Sequence, residues 1–182
     1  MAVLDVVQYG APILRKECKP VTDYSVLPKI IEDMFDTMYE EEGVGLAANQ
    51  IGIDMNLMII DVSYTDEVDE AHIFVNGQIL DSFGESEVEE GCLSIPEIRL
   101  LIKRPESIQF KYQLPDGSDH IEEFSGLLAR AIQHEIDHLK GVFIIDRVSP
   151  LMALQYKKKL KEIEKSSNKS RKVRNTKESF VL

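Results

Sequence analysis

Between Ser125 and Gly141 the chain sets Leu128, Ile132, Ile136 and Leu139 at helical spacing, and the same stretch contains His134-Glu135-Ile136-Asp137-His138. Apolar residues recurring every three to four positions predict a helix over about 125–140 with one buried face, stopped by Gly141 just past its last turn. Histidines four apart share a face of that helix, so both imidazoles can reach one divalent cation. Any fold containing this segment must bury the apolar stripe while keeping the two rings together. Glu135, one position along, can reach a water polarised by that cation, and such a water is nucleophilic near neutral pH. The plainer alternative is a pair of half-exposed histidines on an amphipathic helix.

Two histidines leave a metal short of protein ligands. A zinc protease would take its third ligand from a downstream His or Glu. Downstream of His138 there is no histidine, and the acids Asp146, Glu162, Glu164 and Glu178 stand in no ligand-like context. The candidate therefore lies upstream, at Cys92 within Glu90-Gly91-Cys92-Leu93-Ser94. Gly91 lets the backbone approach another group closely, and a thiol beside a metal is deprotonated. A cysteine is otherwise most often a small buried hydrophobe.

Around this segment the pattern predicts an α+β domain of mostly antiparallel strands, with a central His-bearing helix and a C-terminal helix. Val26, Leu27, Ile30, Ile31, Met34, Phe35 and Met38 make one stripe of a helix over 25–42, with Ser25 as N-cap and Gly43 at its end. A loop, GVGLAANQIG, covers 43–52, and β-like runs follow at 55–62, 71–76, 98–103, 106–113 and, past a PDGS turn, 119–124. Ser149-Pro150 opens a third helix that is expected to fade near Ser166.

Charge divides the chain in two. Residues 1–156 carry 29 acidic and 11 basic side chains, a net of -18, whereas residues 157–182 carry 10 basic and 3 acidic, a net of +7. The body lacks the clustered Lys and Arg a general nucleic-acid binder needs; the basic 157–182 segment has them. No stretch approaches the roughly 20 apolar residues of a membrane helix, and the N-terminus resembles neither a secretory signal nor a transit peptide. A cytoplasmic location without membrane partners is expected. Cys18 and Cys92 cannot build a disulfide scaffold; Cys18 is expected to be buried and inert.

Three motifs in order, Gly43-Val44-Gly45-Leu46-Ala47-Ala48-Asn49-Gln50, Glu90 to Ser94, and Gln133 to Leu139, together with Pro12-Ile13-Leu14-Arg15, make the chain resemble the bacterial-type peptide deformylases over about residues 5–155. The resemblance implies an enzyme that removes the formyl group from the N-terminal formyl-methionine of nascent polypeptides, releasing formate. It implies metal ligands Cys92, His134 and His138 with water as the fourth, the metal usually being Fe(II), with zinc, nickel or cobalt as substitutes. It implies Glu135 as general base and then acid, and Gln50 with the backbone N–H of Leu93 as donors to the formyl oxygen. Val44 and Gly45 match the segment that pairs with an extended substrate, Gly91 and Arg99 lie near the peptide's path, and Glu90 with Arg104 matches an ion pair behind the cysteine. For Glu90–Arg104 the alternative is a surface pair worth under about 1 kcal/mol.

The same resemblance makes 1–156 the catalytic domain and 157–182 a Lys/Arg-rich helix end and tail, and it implies docking of that tail on the ribosome; a disordered, solubilising tail is the alternative. Arg130 stands where many relatives carry an apolar residue lining the methionine pocket, which leaves that wall of the pocket open, and a long Arg there can snorkel outward. Asn49 fills a variable position and is expected to matter little; His72 and His120 are expected at the surface or in structural roles. Two rival readings are a zinc endopeptidase or amidase with an unrecognised third ligand, and a non-enzymatic ribosome-binding module on the same fold.

Overall fold

A computed structural model of the chain describes residues 2–64 and 70–178, with side chains as far as Asn168. Among the described residues three α-helices, α1 (Leu27–Glu40), α2 (Gly126–Leu139) and α3 (Pro150–Glu178), accompany seven strands. The strands are β1 (Gly45–Ala47), β2 (Leu57–Ile60), β3 (His72–Phe83), β4 (Ser86–Cys92), β5 (Ile95–Arg104), β6 (Ser107–Gln113) and β7 (Asp119–Ser125). All pairings are antiparallel. One sheet runs β1-β2-β3-β6-β7 and a separate hairpin joins β4 to β5. The expected α+β class is what the structure has.

Alternation explains the strands that the sequence predicts. In β5, Ile98, Leu100, Ile102 and Arg104 point inward while Arg99, Leu101 and Lys103 point out, the period of a half-buried strand. Two strands are additional to the predicted set. β4 reads SEVEEGC, with no apolar alternation, and exists because it pairs along β5 from Ser86↔Arg104 to Gly91↔Arg99. β1 is three residues long inside the Gly-containing loop and is recruited by β2.

The helices also shift at their ends. α1 starts at Leu27 after a 3-10 turn at Tyr24–Val26; Asp23 Oδ1, in place of Ser25, accepts from the Ser25 N–H at 3.0 Å and from its hydroxyl at 2.6 Å. α3 continues to Glu178 and does not fade at Ser166, because 151–178 holds neither Pro nor Gly and is rich in the good helix formers Lys, Glu and Arg. Ser149 Oγ accepts from Met152 N at 3.2 Å, so the expected cap is in place. Leu160 and Ile163 are buried against a cluster with Ile98, Leu100 and Ile102, which anchors the first half of α3. Residues 179–182, the end of the basic tail, lie outside the described residues.

α2 is central. Leu128, Ile132 and Ile136 sit on a cluster of Phe74, Phe110, Tyr112 and Phe124, in which Phe74 meets the other three rings edge-on. Burying one such aliphatic side chain contributes about 1.5–3 kcal/mol. The helix is buried elsewhere too, but by polar side chains: Arg130, Gln133, Glu135, Asp137 and His138. Gly141, at φ +75°, turns the chain at the end of α2, where a Cβ would lie 2.7 Å from the Arg15 backbone. Among the described residues no helix is long and apolar enough to cross a membrane, and both cysteines are free thiols.

Candidate metal centre

α2 brings His134 and His138 onto one face, as the spacing predicts, with ring centroids 5.1 Å apart. The end of β4 supplies Cys92, whose Sγ lies 3.1 Å from His138 Nε2. One ligand atom each from Cys92, His134 and His138 fall within 4.8 Å of one another. A thiol and two imidazoles converging at that spacing suit a single divalent transition metal. Burial alone would push the Cys92 thiol up, but the adjacent His138 and hydrogen bonds with both histidines hold it well below its ordinary value. The donor set therefore fits a metal on its own chemistry.

Glu135 and Gln50 complete the floor. The Glu135 side chain is buried, and its Oε2 has no hydrogen-bond partner. Burial holds its carboxyl above the ordinary value, with the charges of His134 and His138 pulling the other way. β1 crosses this carboxylate so closely that a Cβ at Gly45 would lie 2.6 Å from Glu135 Oε1; only glycine allows that approach. Gln50 is buried in a 3-10 turn at Ala48–Ile51. Its Oε1 accepts from Ala47 N at 2.9 Å and its Nε2 donates to Ser94 Oγ at 3.2 Å.

These groups open into a cleft of about 680 Å³ lined by Val44, Gly45, Gln50, Gly91, Cys92, Leu93, Arg99, His134 and Glu135, among others. The cleft therefore gathers the site residues expected from sequence, apart from His138, whose Nε2 meets Cys92 of the lining, and Arg104, which is bonded to Glu90 of the lining. Val44 and Gly45 lead into and begin β1, which among the described residues is an edge strand paired with β2. Arg99 is exposed, paired across the hairpin with Gly91 and 3.9 Å from the Glu89 carboxylate.

Glu90 and Arg104 are buried, so the surface-pair alternative does not hold. Arg104 Nε and Nη2 donate to the two Glu90 oxygens at 2.7 and 2.9 Å, and its Nη1 to Asp137 Oδ2 at 2.8 Å. His134 Nδ1 is 3.0 Å from Glu90 Oε2. Although burial pushes the Glu90 carboxyl up, hydrogen bonds from His134 and Arg104 hold it at about 2. Arg147 donates to both Asp137 oxygens. Removing one partner from such a buried ionic cluster costs about 3–5 kcal/mol.

Two expectations need correction. Arg130 does not snorkel outward; it is buried and donates to Glu90 Oε1 at 2.7 Å. The helical pattern of α2 gives no hint of it, because its acceptors come from β4 and β5. Asn49 is fully buried, and its Nδ2 donates to the His138 carbonyl at 2.6 Å, tying the Gln50 turn to the end of α2. Ser94, which bonds both Gln50 and the Val7 carbonyl, was visible in the sequence only as the end of a motif. Cys18 is buried, with its thiol pushed up to about 11 by desolvation. His72 stacks on Phe74, and His120 stacks on Tyr112, both in structural settings.

The profile of the polypeptide deformylase family matches residues 3–153. The chain belongs to the peptide deformylase family. Solved deformylases of similar structure include one from Legionella pneumophila, 38% identical over 92% of this chain and 98% of that one, at a TM-score of 0.82. Another, from Thermus thermophilus, is 35% identical over 91% and 99%, at 0.85. A third, from Thermotoga maritima, is 43% identical over 82% of this chain and 100% of that one, at 0.77. Peptide deformylases are metal-dependent hydrolases that remove the N-formyl group from nascent polypeptides, and that is this enzyme's activity.

Proposed function

We propose that Cys92, His134 and His138 hold one divalent metal ion, Fe(II) in the cell, with zinc, nickel or cobalt able to substitute. The observation that carries this is the convergence of the three donors within 4.8 Å beside a buried, unpartnered Glu135 oxygen. When bound, the cation supplies Lewis acidity that makes a water nucleophilic near neutral pH. Glu135 takes the proton from the attacking water and delivers it to the methionine nitrogen as the formyl C–N bond breaks, giving formate and a free amino terminus.

Gln50 and Leu93 have the electrostatic part. A primary amide has two donor protons, so Gln50 Nε2 can keep its bond to Ser94 and give the other to the formyl oxygen. The Leu93 backbone N–H is assigned the second donation, where negative charge develops. The free edge of β1 at Val44 and Gly45 takes the peptide as an added strand, with Gly91 and Arg99 on the opposite wall. Glu90, fixed by Arg104, accepts from His134 Nδ1 and so leaves Nε2 toward the metal.

Residues 1–156 are assigned the catalysis, and 157–182 are assigned docking to the ribosome, in the cytoplasm where formylated chains emerge. The +7 charge of that segment suits anionic RNA that the -18 body would meet unfavourably. One experiment tests the catalytic assignment: anaerobic hydrolysis of formyl-Met-Ala-Ser with metal analysis, for the unmodified enzyme and for Cys92→Ser, His134→Ala and His138→Ala. Each variant should lose stoichiometric metal and formate release together. Three variants that each purify with one tightly held ion would overturn it.

A further inference from the structure

The two halves of the metal site stand on elements that share no sheet. Cys92 ends β4, in a hairpin that forms a two-stranded sheet of its own, whereas His134 and His138 belong to α2. Side chains crossing between the hairpin and α2 must therefore set how the thiol sits relative to the imidazoles. Arg104 of β5 is one such tie, through Asp137.

Arg130 makes more of these ties. It stands one turn before His134, is 6% exposed, and reaches β4 at two levels and β5 at one. Its Nη1 donates to Glu90 Oε1 at 2.7 Å and to the Ile102 carbonyl at 3.0 Å. Its Nη2 donates to the Ser86 carbonyl and hydroxyl, both at 2.9 Å. Ser86 begins β4 and Cys92 ends it, so the guanidinium holds the far end of the strand whose near end holds the thiol. On Glu90, Arg130 and Arg104 together with His134 occupy four acceptor directions of the carboxylate, which is about the number a carboxylate offers. The planar fork of an arginine fixes such acceptors relative to one another in a way a lysine ammonium cannot.

We propose that Arg130 is a positioning residue of the metal site, clamping β4 against α2 and fixing the Glu90 carboxylate that orients His134. The inference rests on Cys92, His134 and His138 being the ligands. It does not make Arg130 a wall that recognises the substrate side chain: its head group is turned to Glu90 and Ser86, although the residue borders the cleft.

The test uses the nickel-loaded and cobalt-loaded enzyme and compares Arg130→Met, Arg130→Lys and His134→Ala. Metal release to a chelator should be faster by about 10–100-fold in Arg130→Met, the range typical for groups that orient metal ligands. Arg130→Lys, keeping a charge for Glu90 but losing the fork to Ser86 and Ile102, should fall between Arg130→Met and the unmodified enzyme. The thiolate-to-cobalt absorption band should shift in Arg130→Met, which a change in global stability alone does not produce. If Arg130→Met does not fold, Arg130→Lys carries the same two readouts. Release rates and cobalt spectra identical to the unmodified enzyme, with His134→Ala losing its metal, would overturn the inference and leave the ligand assignment standing. A His134→Ala protein that retains its ion would overturn the ligand assignment itself.

Discussion

Replacing Gly45 with alanine separates the cost of fitting a side chain from the cost of moving the general base. The new Cβ would sit 2.6 Å from Glu135 Oε1 and 3.2 Å from its Cγ and Cδ. Ordinary contact begins near 3.4 Å, so the carboxylate has to retreat by about 0.8 Å. In stability terms this is mild. The obstacle is the end of a flexible side chain, an off-rotamer glutamate costs about 0.5–1.5 kcal/mol, and Gly→Ala at an ordinary backbone angle returns about 0.4–1 kcal/mol through the unfolded chain. In catalytic terms it is severe, because a shift of about 1 Å at a reacting group can lower the rate 10²-fold. Gly45→Ala should therefore melt within a few degrees of the unmodified enzyme, keep its metal, and lose about 10²-fold in kcat for formyl-Met-Ala-Ser. Thermal unfolding, metal analysis and steady-state kinetics read the three quantities. Full kcat in a variant that folds and holds its ion would refute the claim that the Glu135 carboxylate works from its place under β1.

Glu135→Gln should retain stoichiometric metal yet lose about 10²–10⁴-fold in turnover, the usual contribution of general acid–base catalysis; loss of the ion from this variant would argue for a ligand role instead. Gln50→Ala should lower kcat by about 10²–10³-fold, and a change confined to KM would assign Gln50 to ground-state binding. Truncation after Asn168 spares the buried Leu160 and Ile163 and should weaken salt-sensitive co-sedimentation with ribosomes while leaving hydrolysis of a free formyl-peptide intact. Undiminished ribosome binding by the truncated enzyme would remove residues 169–182 from the docking role.

What the sequence determined by itself was whatever short-range spacing encodes. The i, i+4 histidines and the apolar stripe of α2 fix which residues share a helix face, and alternation in β5 fixes which side chains point inward. The close approach expected at Gly91 is not found, since a Cβ there would meet only Arg99 at 3.8 Å; the tight contact is at Gly45, 2.6 Å from Glu135 Oε1, and only the fold reveals it. Interactions between elements distant in the chain were decided only by the tertiary structure. β4 has no apolar alternation and is a strand because β5 pairs with it. Arg130 departs from the apolar residue of many relatives, and its partners Glu90, Ile102 and Ser86, 28 to 44 residues away in the chain, are brought around it only by the fold. Asn49 looked interchangeable until its amide met the His138 carbonyl, 89 residues on. A buried polar group is tolerable only with its partners present. Those partners are chosen by how the hairpin packs on the helix, which no local pattern records.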